Sequence, residues 1–282
     1  MVKKAVILAG GLGTRMLPAS KSLAKEMFPI IDKPILQILM EDLKDAGIKE
    51  ILIVTSRGKE IIEQHFDRDP ELEQSLIKGN KSELLEQYNQ ILEIPEIYYI
   101  RQKNRAGVAD ALSYAESFVG NNPFVLLFGD GIVFNENNNI VKQLVDDYNI
   151  NTNPVLITNP VNYSDVNKYG IIEPGENNYI LKITEKPKPE EAKSNLAVTG
   201  HYLLNKKIFE IIKNTSVGAN GEVCFVSCLN KLENLRYKVL EGKYFDTGNK
   251  IGYLTCIIEY ALKNPTLAPE IKAYLKELVK GF

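Results

Sequence analysis

Residues 8–29 read LAGGLGTRMLPASKSLAKEMFP. Gly10, Gly11 and Gly13 crowd into one turn, Arg15 follows, and Lys21 and Lys25 come shortly after. The run just before, AVIL, has the look of a short buried strand. Glycine directly after a strand lets backbone N–H groups approach phosphate oxygens, because no Cβ intervenes. Cations this close repel one another unless water or an anion meets them, and a triphosphate is such an anion. Two readings stand: a tight surface turn with a solvated basic flank, or a cradle for a polyphosphate. The spacing matches neither the P-loop nor the GxGxxG fingerprint, so the turn alone does not choose.

Outward from this turn, apolar runs alternate with helical patterns, as expected for βαβ units and a mainly parallel sheet. Strands are expected at Lys4 to Leu8, Glu50 to Thr55, Ile97 to Arg101 and Phe124 to Phe128, the last fully apolar and therefore central. Between them fall helices at Ile35 to Ala46, Lys59 to Phe66, Glu71 to Leu92 and Gly107 to Val119. A polar seam at Asn135 to Asn139 divides a first half, about 1–134, where the glycine turn lies, from a second half, 135–249. Strands there are expected at Val155 to Asn159, Gly170 to Glu173, Tyr179 to Glu185, Ala197 to Leu204 and Tyr237 to Leu240. Helices are expected at Lys206 to Lys213 and Glu222 to Leu232, then through 250–282 with breaks at Pro265 and Pro269. In that tail Leu254, Ile257, Ile258 and Ala261 recur at helical spacing and need a cover, on their own domain and in a homo-oligomer interface.

Composition removes several classes. With 282 residues, 44% of them hydrophobic, the chain can bury a sizeable core as one domain. Its 34 basic and 36 acidic residues nearly cancel, which argues against a nucleic-acid partner. The N-terminal apolar run is too short for a signal peptide and no run of about 20 apolar residues exists, so a cytoplasmic protein with no membrane partner is expected. Cys224, Cys228 and Cys256 match no zinc spacing and read as reduced core thiols.

Three further segments carry chemistry. In LLFGDGI, residues 126–132, Asp130 follows the most apolar strand, at the edge where open α/β sheets place ligands. It suits Mg²⁺ shared with phosphate oxygens, or it is a turn residue between Gly129 and Gly131. In ITEKPKP, residues 183–189, Glu185 and Lys186 end a strand and are expected on opposite faces of it. In GKYFDTGNKIGYL, residues 242–254, Asp246 is either an Asx turn before a helix or a second carboxylate for the same metal.

Together these segments resemble the sugar-1-phosphate nucleotidyltransferases, and most closely their uridylyltransferase branch. AVILAGGLGTRMLPASKSLAKEMFPIIDKP is similar to that family's nucleotide-binding signature. ILIVTSRGKEIIEQHFD, YYIRQKNRAGVADA, KYGIIEP, ITEKPKPEEAKSNLAVTGHYLL and GKYFDTGNKIGYL continue it in order, so the likeness spans nearly the whole chain. The resemblance implies a Rossmann-like α/β nucleotidyltransferase fold with a mixed, mainly parallel sheet, flanking helices and a C-terminal helical segment. It implies UTP and glucose 1-phosphate as substrates. Leu8, Ala9, Gly10, Gly11, Gly13, Thr14 and Arg15 would wrap the nucleotide phosphates, with Lys25 pairing them. Gln102 would hold the uracil edge, since its amide supplies both a donor and an acceptor, and Gly107 would lie against the base. Asp130 and Asp246 would share Mg²⁺. Gly170, Glu185, Lys186 and Glu222 would grip the sugar phosphate, Lys186 on its phosphate.

Some positions depart from the family pattern. Gly131 stands where a second Asp is usual, Ala24 where Pro is usual, and His201 where an Arg is frequent. Cys224, Phe225, Val226 and Ser227 replace polar positions of the sugar side. A thymidylyltransferase and a sugar-nucleotide-binding regulator without turnover remain as alternatives.

Overall fold

The computed structural model describes residues 1–135, 139–218 and 221–281. The first half supplies strands β1 (Lys4–Leu8), β2 (Pro29–Ile30), β3 (Lys33–Pro34), β4 (Glu50–Thr55), β5 (Glu96–Arg101), β6 (Phe124–Phe128) and β7 (Gly131–Phe134). The second supplies β8 (Val155–Pro160), β9 (Gly170–Pro174), β10 (Ile180–Glu185), β11 (Leu196–Leu204), β12 (Arg236–Val239) and β13 (Lys243–Asp246). Helices are α1 (Ile35–Asp45), α2 (Ile61–Phe66), α3 (Pro70–Lys78), α4 (Ser82–Leu92), α5 (Gly107–Ser113) and α6 (Glu116–Val119). They continue with α7 (Ile140–Asn151), α8 (Lys207–Lys213), α9 (Phe225–Leu229), α10 (Lys250–Lys263) and α11 (Ala268–Val279).

One mixed sheet runs β10-β9-β11-β6-β1-β4-β5, with β8 joining β11 and β12. The strands β6-β1-β4-β5, expected from their apolar runs, pair in parallel, and β12 adds a second parallel pairing on β8. β6 is central, and Phe124 through Leu127 are fully buried because helices cover both faces. One layer packs Ile7 and Leu127 against Leu36, Leu39 and Leu43 of α1; the other packs Leu126 against Leu112 of α5 and Phe209 of α8. Truncating a side chain such as Leu126 to Ala would cost about 2–5 kcal/mol, transfer and cavity together.

Register decides where the site forms. Leu8 stands opposite both Val54 and Phe128, so the glycine turn and the Gly129–Asp130 turn leave the sheet side by side. Gly129 N–H donates to the Leu8 carbonyl at 3.1 Å, and Gln102 N–H to the Thr55 carbonyl at 2.9 Å. Apart from this sheet, β7 and β13 pair antiparallel, with Asp246 opposite Gly131. Two segments far apart in sequence are thereby fixed side by side.

Several expectations are corrected. The single helix over 71–92 is two, because Gly79 caps α3 and Asn80 adopts a left-handed φ of 51°. The helix expected from Glu222 to Leu232 is only Phe225–Leu229. Helix α7 was not among the expected helices; Asn139 caps it by accepting from Val141 N and Lys142 N. Of the polar seam at 135–139, residues 136–138 lie outside the described residues. The tail divides as its prolines indicate, Pro269 sitting in the first turn of α11, where a missing N–H costs nothing. Its apolar stripe is only partly covered: Ala261 is buried, whereas Leu254 and Ile258 are exposed. Cys228 and Cys256 are buried thiols, but Cys224 is exposed. Among the described residues no helix is long and apolar enough to cross a membrane.

Candidate active site

The glycine turn wraps the stem of Lys25. Gly13 holds a φ of +66°, and a Cβ there would stand 3.1 Å from Ser20 Cβ and 3.3 Å from Lys25 Cβ. A Cβ on Gly11 would lie 3.6 Å from the Lys25 ammonium. Gly13 therefore needs glycine, by its backbone and by its crowding, whereas a Cβ at Gly11 would make only ordinary contact with this side chain. Leu8 and Ala9 end the buried strand beneath, while Thr14, Arg15 and Lys21 face solvent.

The cations are not left to repel each other. Lys25 Nζ donates to Asp130 Oδ2, and Arg15 Nη1 donates to Asp246 Oδ2 at 3.1 Å. Burial alone would push the Lys25 ammonium down, but the Asp130 carboxylate, aided by Glu26, offsets this and holds it above its ordinary value. Asp130, Arg15 and Asp246 converge on Gly248. A Cβ there would stand 2.5 Å from Asp130 Oδ2, 2.9 Å from Arg15 Nη2 and 3.0 Å from Asp246 Oδ1. Thr247 fixes the approach by donating its N–H and its hydroxyl to the Asp130 carbonyl, at 2.9 and 2.8 Å. Gly248 N–H donates to Asp246 Oδ1 at 3.0 Å. The carboxylates expected to meet are thus brought together, each already paired to a cation.

This donor set fits a hard divalent cation. Asp130 Oδ2 and Asp246 Oδ1 both lie within 3.0 Å of the Cβ position on Gly248, so the two carboxylates face one small space with the hard oxygen donors that Mg²⁺ takes. Among the described residues no group of three or more His, Cys, Asp or Glu side chains gathers, so the other ligands would be water and phosphate oxygens.

Beneath the turn lies a feature that sequence reasoning missed. Glu26, fully buried, accepts from Lys59 Nζ at 2.8 and 2.7 Å, and the same ammonium donates to the Ala9 carbonyl at 2.5 Å. Burial pushes the Glu26 carboxyl up and the Lys59 ammonium down, so each charge depends on the other. Glu26 Cγ would be 2.9 Å from a Cβ on Gly129, so the pair also touches the turn that carries Asp130. The signal was present in two charges, Glu26 and Lys59, inside otherwise apolar or turn-rich stretches.

A cleft of about 850 Å³ opens beside Asp130 and Asp246. Arg15, Gly170, Glu185, Lys186 and Glu222 line it, together with Lys168, Tyr169 and Tyr244, which the sequence did not single out. Gly170 has a Cβ position 3.3 Å from Glu185 Oε2, so the strand passes close behind that carboxylate. Glu185 and Lys186 do not point to opposite faces as strand alternation predicts. Lys186 adopts a φ of 48°, which ends the alternation and leaves its Nζ 3.6 Å from Glu185 Oε1. Lys25, Gln102 and Gly107 are not on the cleft wall. Lys25 reaches it through Asp130, and Gly107, with a φ of +86°, lies against Glu222. Gln102 sits behind Gly10, its Oε1 3.0 Å from the Cβ position there.

Two departures from the family pattern turn out to be one. A Cβ on Gly131 would meet Thr199 O and Tyr244 Cε2 at 3.2 Å and His201 Cε1 at 3.3 Å. The His201 ring occupies the room that a larger residue 131 would need. It is fully buried, its Nδ1 is 3.1 Å from Thr199 Oγ1, and its Nε2 has no hydrogen-bond partner among the described residues. Burial pushes its pKa down to about 4, so the ring is neutral.

This arrangement, a glycine turn over a lysine at the end of a parallel sheet and two facing aspartates beside a cleft, defines a nucleotide-phosphate-handling enzyme class. The chain belongs to the nucleotidyl transferase family, which it matches over residues 4–261. It is 40% identical to a UTP–glucose-1-phosphate uridylyltransferase of Staphylococcus epidermidis over 285 residues, covering 98% of each chain. The UTP-bound enzyme (UGPase) of Acinetobacter baumannii superposes with a TM-score of 0.92 at 33% identity, over 99% of this chain and all of that one. A UDP-glucose pyrophosphorylase complexed with UDP-glucose gives 0.84 at 33% identity, over 94% of this chain and 100% of that one.

Proposed function

We infer that this chain transfers a uridylyl group from UTP to glucose 1-phosphate, giving UDP-glucose and pyrophosphate. The meeting of Arg15, Asp130 and Asp246 around Gly248, with Lys25 bonded to Asp130, carries the inference. No side-chain nucleophile is required. An oxygen of the sugar phosphate attacks the α-phosphorus of UTP, the bond from that phosphorus to its bridging oxygen breaks, and pyrophosphate leaves with the electron pair. The protein's task is to bring two polyanions into line and to stabilise the charge that develops. The backbone from Leu8 to Thr14 wraps the nucleotide phosphates. Lys25 and Arg15 exchange their carboxylate partners for phosphate oxygens, which is how ion pairs of the free protein become substrate contacts. Gln102 and Gly107 meet the uracil. Lys186 holds the sugar phosphate, with Gly170, Glu185 and Glu222 about the sugar. Asp130 and Asp246 are the residues that would hold Mg²⁺, which when bound neutralises phosphate charge where the new bond forms.

The test is pyrophosphate release with UTP, dTTP, ATP and GTP, each offered with several sugar 1-phosphates. UTP with glucose 1-phosphate is expected to be fastest. Preference for dTTP would favour thymidylyl transfer, and no release with any pair would leave a nucleotide-binding regulator. We also propose a homo-oligomer, supported by the exposed apolar side chains Ile251, Leu254 and Ile258 on α10 and Leu278 and Val279 on α11. A strictly monomeric mass by light scattering would count against it.

A further inference from the structure

Gln102 is 6% exposed, and its backbone N–H is fixed by the Thr55 carbonyl at 2.9 Å. Its side-chain Nε2 donates to Asp110 Oδ2 at 2.6 Å. Its Oε1 faces the glycine turn and accepts from no donor among the described residues. The two ends of an amide are nearly identical in shape, and only their surroundings decide which way round they sit. Here the surroundings decide strongly. A carboxylate only accepts, so turning the amide over would set oxygen against oxygen. Asp110 lies on α5, three positions past Gly107, and its carboxylate thereby determines which end of Gln102 is left for a ligand.

We propose that Asp110 is a positioning residue that sets base selectivity: it holds the Gln102 amide with its carbonyl outward, so that the site selects a pyrimidine bearing an imide N–H. The proposal rests on the uridylyl-transfer reading. Uracil and thymine present N3–H to that carbonyl and make a hydrogen bond. Cytosine presents a lone pair at the same position, and two acceptors face each other. An unrestrained glutamine would turn over and serve either base. The discrimination therefore comes from the aspartate behind the glutamine.

The test compares UTP, CTP and dTTP with the unaltered chain, Asp110→Asn and Asp110→Ser. Affinity is measured by calorimetry without sugar phosphate, turnover by pyrophosphate release, and folding by melting temperature. The unaltered chain is expected to prefer UTP over CTP by roughly a hundredfold or more, the scale of a mismatched buried hydrogen bond. Asp110→Asn, whose side chain can donate as well as accept, is expected to cut that preference at least about tenfold. The dTTP:UTP ratio should not move, since both bases carry the same imide. Absence of UTP turnover by the unaltered chain would refute the uridylyl-transfer reading, while the affinities would still report on Asp110. A UTP:CTP affinity ratio unchanged in both variants, or equal loss for all three nucleotides, would overturn the assignment.

Discussion

Asp130 and Asp246, expected to share a metal, each carry a protein cation in this structure, Lys25 and Arg15 respectively. Substituting Asp130 by Asn is therefore expected to act twice. Turnover should fall at least about a hundredfold, the scale of losing a main electrostatic stabiliser. The melting temperature should fall modestly as well, because Lys25, largely buried, loses its partner. Mg²⁺-dependent pyrophosphate release beside a melting curve checks both, and near-normal turnover would remove Asp130 from the site. His201 makes a different prediction. Its folded pKa of about 4 lies below the ordinary 6.5, so the unfolded chain takes up a proton that the folded chain refuses. Its contribution is fully present above pH 6.5 and is lost as pH falls from there toward 4, a few kcal/mol in all at roughly 1.4 kcal/mol per unit. Asp42, pushed up to about 7 by burial, works the other way over the same window. The effect is thus read as a difference: melting temperature should decline less between pH 6.5 and 4 in His201→Gln than in the unaltered protein. Parallel curves would contradict the buried neutral ring.

At the level of elements, the buried Lys59–Glu26 pair ties the end of β1, the Lys25 turn and the Gly129–Asp130 turn to the segment before α2. Lys59→Met alone strands a buried carboxylate and should cost about 3–5 kcal/mol. Adding Glu26→Met removes the stranded charge and should restore much of the melting temperature. Turnover should stay low in the double variant, because the Ala9 carbonyl under the glycine turn then loses the Lys59 ammonium that anchors it. If turnover returned together with stability, the pair would serve the fold alone. The two charges stand out in the sequence, but nothing there shows that they meet, since the partners come together only in three dimensions. What the chain does announce is local. β1, β4 and β6 were legible because strands buried on both faces are apolar throughout. The glycine turn was legible because few other structures need Gly10, Gly11 and Gly13 together. The break at Gly79–Asn80 was legible too, but the long polar periodicity of 71–92 overrode it. The left-handed backbone of Lys186 had no local signature, and with it went the expected facing of Glu185 and Lys186.

At the scale of the whole molecule, the sheet delivers the glycine turn and Asp130 to one edge, and the chain must return from a distant segment to bring Asp246 beside them. That return is the two-strand ribbon of β7 and β13, short enough to escape notice as sequence, and its register of Asp246 against Gly131 does the placing. A ladder obeys parity: side chains alternate, so displacement by one residue turns every one of them to the other side. Tolerance to changes of length should therefore be very uneven along this chain. One alanine inserted after Asn80, in the exposed turn between α3 and α4, should leave pyrophosphate release and melting temperature almost unchanged. The same alanine inserted between Phe245 and Asp246 should abolish release. Asp246 would then be carried past Gly131 and away from Arg15, although no residue of the site had been altered and the large sheet remained whole.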